Sequence, residues 1–442
     1  MGPGAEFVAE ELARAHVSVA AIEERLVGGE CPYWGCVPSK MMIRAADLLA
    51  EGRRIPGMAG SSVISPDWAP VASRIRDEAT DNWDDTVAAD RFTGLGGTLL
   101  RGHGVIAAPG QVRVGDTVLR ARRGIVIGTG GAAAIPPIDG LPGTPYWTNH
   151  EAIEAARVPR SLVVLGGGAV GAELAQVFAR FGCSVTVIEA RGQLLPAEEP
   201  ESGRLLAEVF RAEGIVVLTG VPATSVGHDD QEFTVTLADG TSARGERLLV
   251  ATGRRSDLAA LGVGAIGLDE GAHFLDTDTD MLVAPGVWAL GDVVGRGAFT
   301  HMSMYEGGII LDQLLGRPHH RAEYHAVPRV TFTDPEIGSV GLTEAQASDR
   351  LGVAVQTGQA QLPASARGWI HKTGNRGFIK LVADAERDVL VGATSAGPAG
   401  GEVLGLLTLA VHAPVPVSRL REMIYAYPTF HRAIEDALRQ LG

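Results

Sequence analysis

The chain of 442 residues is long enough for two to four domains with hydrophobic cores. Its 58 glycines and few aromatic residues are typical of an α/β protein with many tight strand–helix turns. A formal net charge of −14 argues against nucleic acid and acidic membrane surfaces as partners.

No apolar run reaches the length of a transmembrane helix, and the N-terminus lacks a basic segment followed by an apolar one. Three cysteines are too few for a framework of structural disulfides. We therefore expect a soluble, cytoplasmic protein without a membrane partner.

Residues 1–27 have the pattern of a βαβ unit whose first strand is absent. A dinucleotide fingerprint consists of a strand, GxGxxG, a helix and an acidic residue about 20 positions further on. A helical pattern follows Gly2-Pro3-Gly4-Ala5, and a strand at 17–22 ends at Glu23. Counted back from Glu23, Gly2 fits the second glycine, so the first glycine and its strand would precede Met1. Either translation starts further upstream or the domain lacks a central strand, and we expect the upstream start.

The segment 28–40, GGECPYWGCVPSK, contains Cys31 and Cys36, with Lys40 one helical turn beyond Cys36. Extended chain would separate the two cysteine α-carbons by about 17 Å and a regular α-helix by about 7.5 Å, both beyond the reach of a disulfide. A tightened first helical turn, compatible with Pro38, would bring them together. Cys36 would then lie at the positive end of the helix, where a thiolate is favoured. The alternatives are a redox disulfide, a zinc pair, for which no second cysteine pair is available, and two unrelated buried cysteines.

This segment resembles the active-site signature of the class I pyridine nucleotide–disulfide oxidoreductases, flavoproteins that include dihydrolipoamide dehydrogenase and mercuric reductase. The resemblance rests on the two glycines, the two cysteines at this separation and the following Pro-Ser-Lys. It implies an α/β fold with two Rossmann-like domains, one for FAD and one for NAD, and an α+β C-terminal dimerisation domain. It also implies a redox disulfide in which Cys36 faces the flavin and Cys31 exchanges with the substrate. No metal site is expected.

By the same resemblance, the N-terminal fingerprint is the FAD site. Gly2 and Gly4 would contact the pyrophosphate, and Glu23 would bind the adenosine ribose. The turn Gly128-Thr129-Gly130 corresponds to the family's Ala-Thr-Gly turn, which places Thr129 and Gly130 beside the flavin.

The elements between these segments are predicted from pattern alone. Helices are expected at 41–51 and 68–91, and short strands at 97–130 with turns at Gly110 and Gly115-Asp116. The proline-rich residues 135–145 indicate a linker into the next domain.

A second dinucleotide fingerprint is complete. Its parts are a buried strand at 161–165, the turn GGGAVG at 166–171, a helix at 172–181 and a strand at 184–188. Gly166, Gly168 and Gly171 would allow a pyrophosphate to approach the helix N-terminus. Glu189 would bind the ribose hydroxyls and repel a 2′-phosphate, which favours NADH, while Arg191 leaves NADPH as the alternative. An exposed carboxylate without a ligand is the other interpretation of Glu189.

The resemblance also assigns residues that follow each fingerprint. Glu173 would pair with Lys40 beside the flavin, although a glutamate that only stabilises the helix dipole is the alternative. Gly253, in the second Ala-Thr-Gly turn, would mark the exit from the NAD domain. Asp292 would bind the ribityl chain, with a simple turn residue as its alternative, and we expect His301 to be a helix-terminus or packing residue. Cys183 is expected to be a small core residue.

The C-terminal part has its own pattern of strands and helices. Strands are predicted at 329–332 and 377–382, helices at 402–412 and 430–441, and a hairpin around Asp239-Gly240 in the preceding domain. The resulting domains are 1–150 with 272–320 for FAD, 151–271 for NAD and 321–442 for dimerisation. The resemblance implies a homodimer.

One motif departs from the family. Disulfide-reducing members carry a His-Pro pair and a glutamate that reach across the dimer, but here Tyr427 and Arg432 take the places of the histidine and the glutamate. A tyrosine with a pKa near 10 is a poor base at neutral pH, although it can donate a hydrogen bond, and His431 is a weak candidate to replace the histidine.

We expect a dihydrolipoamide dehydrogenase-like enzyme with a small-molecule electron acceptor. A quinone reductase and a flavin-free binding protein are the alternatives, and mercury(II) is a doubtful substrate because the family's C-terminal cysteine pair is missing.

Overall fold

The computed structural model describes residues 1–229 and 231–441 of the chain. The helices of these residues, α1 to α15 in chain order, are Pro3–Arg14, Glu30–Tyr33, Cys36–Arg54, Ala69–Arg74, Thr86–Gly94, Asn149–Ile153, Ala169–Arg180, Pro200–Ala212, Leu258–Leu261, Thr300–Leu314, Glu344–Leu351, Ala366–His371, Gly400–His412, Val417–Glu422 and Ala433–Leu438.

The strands, β1 to β22 in chain order, are Ala20–Glu23, Thr98–Arg101, Gly104–Ala108, Gln111–Val114, Thr117–Arg120, Ile125–Ile127, Ala132–Ala133, Ser161–Leu165, Ser184–Glu189, Val216–Thr219, Ala223–His228, Phe233–Leu237, Ser242–Gly245, Arg247–Val250, Arg254–Arg255, Leu282–Ala284, Val287–Ala289, Pro328–Thr331, Glu336–Gly341, Val355–Gln361, Phe378–Asp384 and Val389–Gly397. These elements belong to two compact units. The first contains residues 1–38, 73–134 and 253–324, and the second contains residues 39–72, 135–252 and 325–441.

The first unit contains parallel strand pairs and one antiparallel meander. Strand β1 pairs in parallel with β2, β6 pairs in parallel with β17, and β3, β4 and β5 form the meander. In the described residues no strand precedes α1, and β1–β2 and β16–β17–β6 are separate sheets. Helix α1 packs on α10 so closely that a Cβ on Gly4 would lie 2.4 Å from the carbonyl oxygen of Ser303. The apolar face of α1, with Val8 and Leu12, joins the core of this unit.

The second unit contains a four-stranded parallel sheet in the order β10–β9–β8–β14 and a five-stranded antiparallel sheet in the order β18–β19–β22–β21–β20. Parallel strands need crossover helices, and α7 makes the crossover between β8 and β9. A three-stranded antiparallel sheet, β11–β12–β13, completes this part of the unit. The five-stranded sheet is covered by α13, α14 and α15, whose apolar residues form one core with it.

Most of the elements predicted from sequence are confirmed within a few residues. The short strands at 97–130, the βαβ unit at 161–189 and the hairpin around Asp239-Gly240 are all present. The continuous helix at 68–91 is wrong. It is divided into α4, a π-helix at Ile75–Ala79 and α5, because Asp81, Asn82 and Trp83 adopt positive φ angles of 47°, 56° and 57°, which no α-helix contains. The last helix is shorter than predicted, since α15 covers only Ala433–Leu438.

The turn between β8 and α7 generates a stability prediction. A Cβ on Gly171 would lie 2.0 Å from the carbonyl oxygen of Gly166, and neither backbone can move without disturbing the sheet. We expect Gly171→Ala to destabilise the second unit by about 1–3 kcal/mol, as overpacking does. Thermal unfolding monitored by circular dichroism would show a lower Tm.

The control is Gly405→Ala in α13, where a Cβ would meet no atom within 4 Å. Alanine is the better helix former, so its Tm is expected to stay level or rise. Equal Tm values for Gly171→Ala and the unsubstituted protein would contradict the close approach.

Candidate functional site

The two cysteines lie in successive helices of the first unit. Cys31 belongs to the one-turn helix α2, and Cys36 is the first residue of α3. The single tightened turn predicted from the sequence is therefore wrong in form, because the chain leaves α2 before it enters α3. Gly35 makes this possible, since a Cβ there would lie 3.0 Å from the carbonyl oxygen of Glu30. Both cysteines are in the thiol state, with Cys31 half-buried and Cys36 exposed.

The surroundings of the two thiols differ. A hydrogen bond with Cys36 and burial raise the pKa of the Cys31 thiol well above its ordinary value. Cys36 lies at the N-terminus of α3, where the helix dipole favours a thiolate, and its Sγ is 3.4 Å from the hydroxyl oxygen of Thr300. The arrangement therefore favours a thiolate on Cys36 over one on Cys31.

Thr300 was not predicted from the sequence as a site residue, although its neighbour His301 was considered. Thr300 is the first residue of α10, and this helix has no side-chain cap at its N-terminus. The exposed ring of His301 stacks on Phe299 at a centroid distance of 5.1 Å, so a packing contact is present as expected. No sequence pattern connects Thr300 with Cys36, because 264 positions separate the two residues.

The glycines before the cysteines fix this segment against the N-terminal fingerprint. Gly29 has a φ of 64°, and a Cβ on it would lie 2.9 Å from the α-carbon of Gly2. The N–H of Gly28 donates to the carbonyl oxygen of Met1 at 2.8 Å. Gly2 itself has open space on its Cβ side, whereas Gly4 is buried against α10. The structure thus brings the fingerprint glycines and the cysteine segment together.

The carboxylate of Glu23 is engaged at the end of β1. Its Oε1 accepts a hydrogen bond from the N–H of Arg25 at 2.7 Å, and its Oε2 pairs with the amino group of Met1. Burial lowers the pKa of that amino group to about 6. The acidic residue therefore stands at the C-terminal end of a parallel strand, the position from which such residues bind a ribose.

Two glycine turns of the first unit meet at the short strand pair β7–β15. The carbonyl oxygen of Gly130 accepts from Ser256 at 2.9 Å, and Arg254 donates to the carbonyl oxygen of Gly131. The second turn begins at Gly253, whose carbonyl oxygen accepts from Ala134. Gly130 has a φ of 69° and open space on its Cβ side, and Thr129 precedes it in the turn.

Asp292 is paired with a residue to which the sequence analysis gave no role. Arg254 Nε lies 2.9 Å from Asp292 Oδ2, and Arg254 Nη1 lies 3.6 Å from Glu30. Burial raises the pKa of Asp292, and the Arg254 guanidinium opposes that rise. Arg254 therefore compensates two carboxylates, one of them beside Cys31.

Glu306 on α10 is a buried carboxyl that contacts the segment containing Asp292. It accepts a hydrogen bond from the N–H of Gly291 at 2.6 Å and one from the hydroxyl of Tyr324 at 3.1 Å. Burial raises the pKa of Glu306 to about 7. Glu306 therefore fixes the backbone that carries Asp292.

In the second unit, the fingerprint of β8, α7 and β9 has the expected geometry. Gly166 adopts a φ of 104°, and Gly168 precedes α7, which has no side-chain cap. Glu189 ends β9, where its two oxygens accept from the N–H groups of Gly167 and Arg191, both at 2.8 Å. The carboxylate is thereby held at the fingerprint turn and is buried there.

Lys40 and Glu173 form an ion pair in the second unit. Lys40 Nζ lies 2.8 Å from Glu173 Oε2, and it also lies 4.7 Å from the centre of the Phe332 ring. Glu173 Oε1 accepts the N–H of Phe332 at 2.8 Å. One buried carboxylate therefore holds both the lysine and the backbone that follows β18, a contact with Phe332 that no sequence motif predicted.

The C-terminal segment presents Tyr427 to solvent. Its side chain is 70 % exposed, and the guanidinium of Arg432 lies over its ring at 5.6 Å. Arg432 also pairs with Glu435 at 2.8 Å. His431 contacts the hydroxyl of Thr429 at 3.4 Å. A cation therefore lies over the phenol ring of Tyr427.

The described residues fit two dinucleotide cofactors. Ideal Cβ atoms on Gly2, Gly130 and Gly168 would meet no atom within 4 Å, so the backbone at all three positions is open to a ligand. Helices α1 and α7 both lack a side-chain cap, which leaves their first N–H groups available to phosphate oxygens. Glu23 and Glu189 end the strands that follow these helices.

Comparison with known proteins agrees with this geometry. The family model described as pyridine nucleotide-disulphide oxidoreductase matches residues 1–307, and the model for the dimerisation domain of the same family matches residues 327–438. A mercuric reductase of Acidithiobacillus ferrooxidans is 34 % identical over 439 residues, which cover 95 % of this chain and 77 % of that protein. A dihydrolipoyl dehydrogenase of Chlorobaculum tepidum is 30 % identical over 457 residues, which cover 100 % of this chain and 96 % of that protein.

Solved structures share the fold. LpdA of Mycobacterium tuberculosis superposes with a TM-score of 0.85 at 24 % identity, covering 99 % of this chain and 97 % of LpdA. The HOCl-induced flavoprotein disulfide reductase RclA of Escherichia coli superposes with a TM-score of 0.84 at 25 % identity, covering 99 % of this chain and 98 % of RclA. The predicted fold class is thus confirmed. Of the helices in the described part of the chain, none combines the length and the apolar character that a bilayer crossing requires.

The contact between Cys36 and Thr300 can be tested by titration. In the Cys31→Ser holoenzyme, only Cys36 of the pair remains, and its thiolate is followed through long-wavelength charge-transfer absorbance as the pH is raised. We expect Thr300→Val to raise the midpoint of this titration by about 1–2 pH units, because a hydrogen bond to a charged group is worth about 1.5–3 kcal/mol. Thr300→Ser keeps the hydroxyl and is the matched control. Identical midpoints for Val and Thr at position 300 would show that the hydroxyl leaves the thiolate unaffected.

The carboxyl of Glu306 predicts a pH dependence of stability. Its pKa in the folded chain, about 7, exceeds the ordinary value of about 4.3, so the folded state binds more protons between these values. Stability is therefore lost as the pH rises through 7. The side chain of Glu306→Gln does not titrate. Between about pH 5 and pH 8 we therefore expect the Tm of this variant to fall less than the Tm of the unsubstituted holoenzyme. The exposed Glu386→Gln serves as control, and parallel pH profiles of Glu306→Gln and the unsubstituted enzyme would contradict the assignment.

Proposed function

Because the chain belongs to the pyridine nucleotide–disulphide oxidoreductase family, we propose that it passes electrons from NADH to a disulfide acceptor through Cys31 and Cys36. It is an FAD-dependent, dihydrolipoamide dehydrogenase-like oxidoreductase that uses NAD(P)H. The observation that carries the assignment of the sulfur pair is the hydrogen-bonded contact between the two thiols, with Cys36 at a helix N-terminus. Bound FAD would supply the two-electron relay between the nicotinamide and this pair.

Cys36 is the inner sulfur and Cys31 the outer one. As the exchanging thiol, Cys31 attacks one sulfur of the acceptor disulfide, and the acceptor's second sulfur leaves with one electron pair. Cys36 then displaces the first acceptor sulfur from Cys31, which forms the Cys31–Cys36 bond. The acceptor is released as a dithiol that has taken up two protons, the one removed from Cys31 and one from solvent. The raised pKa of Cys31 means that a base must remove its proton before the attack.

Lys40 and Glu173 act as a charge pair that fixes the lysine. The carboxylate holds Nζ at 2.8 Å and is itself held by the N–H of Phe332, so Lys40 has a fixed position on α3. Glu189 selects NADH by accepting hydrogen bonds from the ribose hydroxyls. Gly2, Gly4, Glu23, Thr129, Gly130, Gly253 and Asp292 contribute to the FAD site, and Gly166, Gly168 and Gly171 to the NAD site.

Tyr427 borders the acceptor of the partner subunit's cysteine pair, in the place where related enzymes carry a histidine. Its phenol donates a hydrogen bond to the leaving thiolate, and the Arg432 guanidinium over the ring supports that negative charge. The match to a dimerisation domain supports a homodimer. A cytoplasmic location agrees with this function, and so do an FAD domain at 1–150 and 272–320, an NAD domain at 151–271 and a dimerisation domain from 321.

A quinone reductase is the second candidate function, and one observation favours it. The exposed Tyr427 is accompanied by Arg432, where disulfide reductases provide a histidine and a glutamate to move protons. A quinone needs no acid for a leaving thiolate and would not use Cys31. Reduction of mercury(II), the activity in the names of several relatives, is a weaker candidate because no further cysteine pair occurs in this sequence.

Substitution of the outer cysteine separates these functions. We expect Cys31→Ser to reduce NADH-dependent turnover of lipoamide by at least about 10³-fold, because the exchanging sulfur is lost. Cys183→Ala removes the buried cysteine of the second unit and is expected to keep full activity. Turnover is measured anaerobically by NADH absorbance with lipoamide, glutathione disulfide, mercury(II) and menadione. Full lipoamide turnover by Cys31→Ser would exclude the disulfide function, and menadione turnover that survives Cys31→Ser would establish the alternative.

A further inference from the structure

The chain contains one long stretch without carboxylates. Residues 351–383 include no Asp or Glu, although the whole chain has a net charge of −14. The same stretch carries four basic residues, Arg367, Lys372, Arg376 and Lys380, and one histidine, His371. Arg367 and His371 lie on α12, and Lys372 follows its last residue. Lys380 is buried against Glu199, Glu201 and Glu344, and Arg376 lies 3.9 Å from Glu208. The local basic region on this acidic protein is therefore α12 with Lys372.

Helix α12 is held rigidly. The hydroxyl of Ser365 accepts the N–H of Gly368 at 3.0 Å and caps the helix, and Asn375 donates to the carbonyl oxygen of Gly368 at 2.8 Å. A Cβ on Gly368 would lie 1.8 Å from the carbonyl oxygen of Leu362, so the helix packs directly on the preceding turn. Trp369 on this helix is nevertheless 73 % exposed.

The basic helix contacts the segment that contains Tyr427. The guanidinium of Arg367 lies 5.6 Å from the centre of the Phe430 ring, and the His371 ring meets the same ring edge-on at 5.5 Å. Arg432 lies over Tyr427 on the same segment. Phe430 therefore joins α12 to the segment that contains Tyr427 and Arg432.

The positive charges of this region are incompletely neutralised. Within residues 1–229 and 231–441, neither Arg367 nor Lys372 has an ion pair with a carboxylate. Arg432 pairs with Glu435 at 2.8 Å, and Arg439 pairs with both Glu435 and Asp436. The positive charges would attract a small anion that approached Tyr427. The anion could bind Arg367 without displacing an existing ion pair.

We propose that Arg367 and Arg432 make the enzyme selective for electron acceptors that carry a negative charge, such as a disulfide that also carries a carboxylate. This specificity rests on the proposed function, because it requires Tyr427 to border the acceptor. The reaction is the reduction of the anionic disulfide by NADH and one proton. The S–S bond breaks, two S–H bonds form, and NADH is oxidised to NAD⁺.

Lipoate and lipoamide test the charge alone. The two compounds share the same dithiolane ring. Lipoate carries a carboxylate where lipoamide carries a neutral amide. We expect kcat/KM for lipoate to exceed that for lipoamide by about five- to tenfold at low salt, and the ratio to approach one near 0.5 M salt as screening increases. Most of the difference should appear in KM, because the charge assists binding and takes no part in the chemical step.

Two variants locate the effect. Arg367→Gln and Arg432→Gln are each expected to lower the lipoate-to-lipoamide ratio about two- to fivefold, the range of a partly exposed charge pair. Arg367→Lys keeps the charge and is expected to keep the ratio. Arg211→Gln, which removes an exposed arginine from the end of α8, is the matched control and is expected to change nothing. The rate at which NADH alone reduces the enzyme should be the same in Arg367→Gln, Arg367→Lys and Arg211→Gln as in the unsubstituted enzyme.

The outcomes distinguish the two proposals. Equal kcat/KM for lipoate and lipoamide, a ratio independent of salt, or an unchanged ratio in both glutamine variants would overturn the charge selectivity and leave the disulfide function intact. The absence of NADH-dependent reduction of either disulfide would overturn the disulfide function and the selectivity together.

Discussion

Backbone segments that approach each other closely at glycine residues position the two thiols of the first unit. Only glycine permits such close approach. Gly29 approaches Gly2 so closely that a Cβ would lie 2.9 Å from its α-carbon, and Gly4 meets the backbone of α10 in the same way. The first contact sets the cysteine segment against the start of α1, and the second brings α10, which begins with Thr300, onto α1. The contact between Thr300 and Cys36 therefore depends on two positions that have no side chain. A residue with a Cβ at either position would separate the helices that the thiol pair requires.

Charge is distributed around the functional residues by pairing. Arg254 compensates Asp292 and Glu30, Glu173 compensates Lys40, and the backbone N–H groups of Gly167 and Arg191 compensate Glu189. Each of these groups is partly or fully buried, and an unpaired buried charge would be costly. Cys36 differs, because its compensation comes from a helix N-terminus and a neutral hydroxyl. Both favour the thiolate, which is the reactive form of a cysteine.

Local patterns predicted the architecture well, because they depend on neighbouring residues. The βαβ unit at 161–189 combines a glycine turn with strand and helix periodicities, and the structure has it with β9 ending at Glu189 as expected. The break at Asp81–Trp83 was missed although Asp81 and Asn82 are residue types that favour turns and tolerate positive φ. Trp83 gives no such local signal. The sequence also predicted one helical turn around the cysteines, whereas Gly35 allows two helices. Contacts such as Thr300 with Cys36, or Phe332 with Glu173, join residues more than 150 positions apart, and no periodicity encodes such pairs.

The two oxygens of Glu173 have different partners, and this determines which substitution at that position is informative. Alanine would remove the countercharge of Lys40 and at the same time leave the amide of Phe332 without an acceptor, so a loss of activity would mix electrostatics with a disturbed backbone. Glutamine retains an oxygen for the amide and deletes only the charge. An isosteric neutral side chain therefore isolates the contribution of the ion pair, whereas truncation measures the ion pair and the strand terminus together.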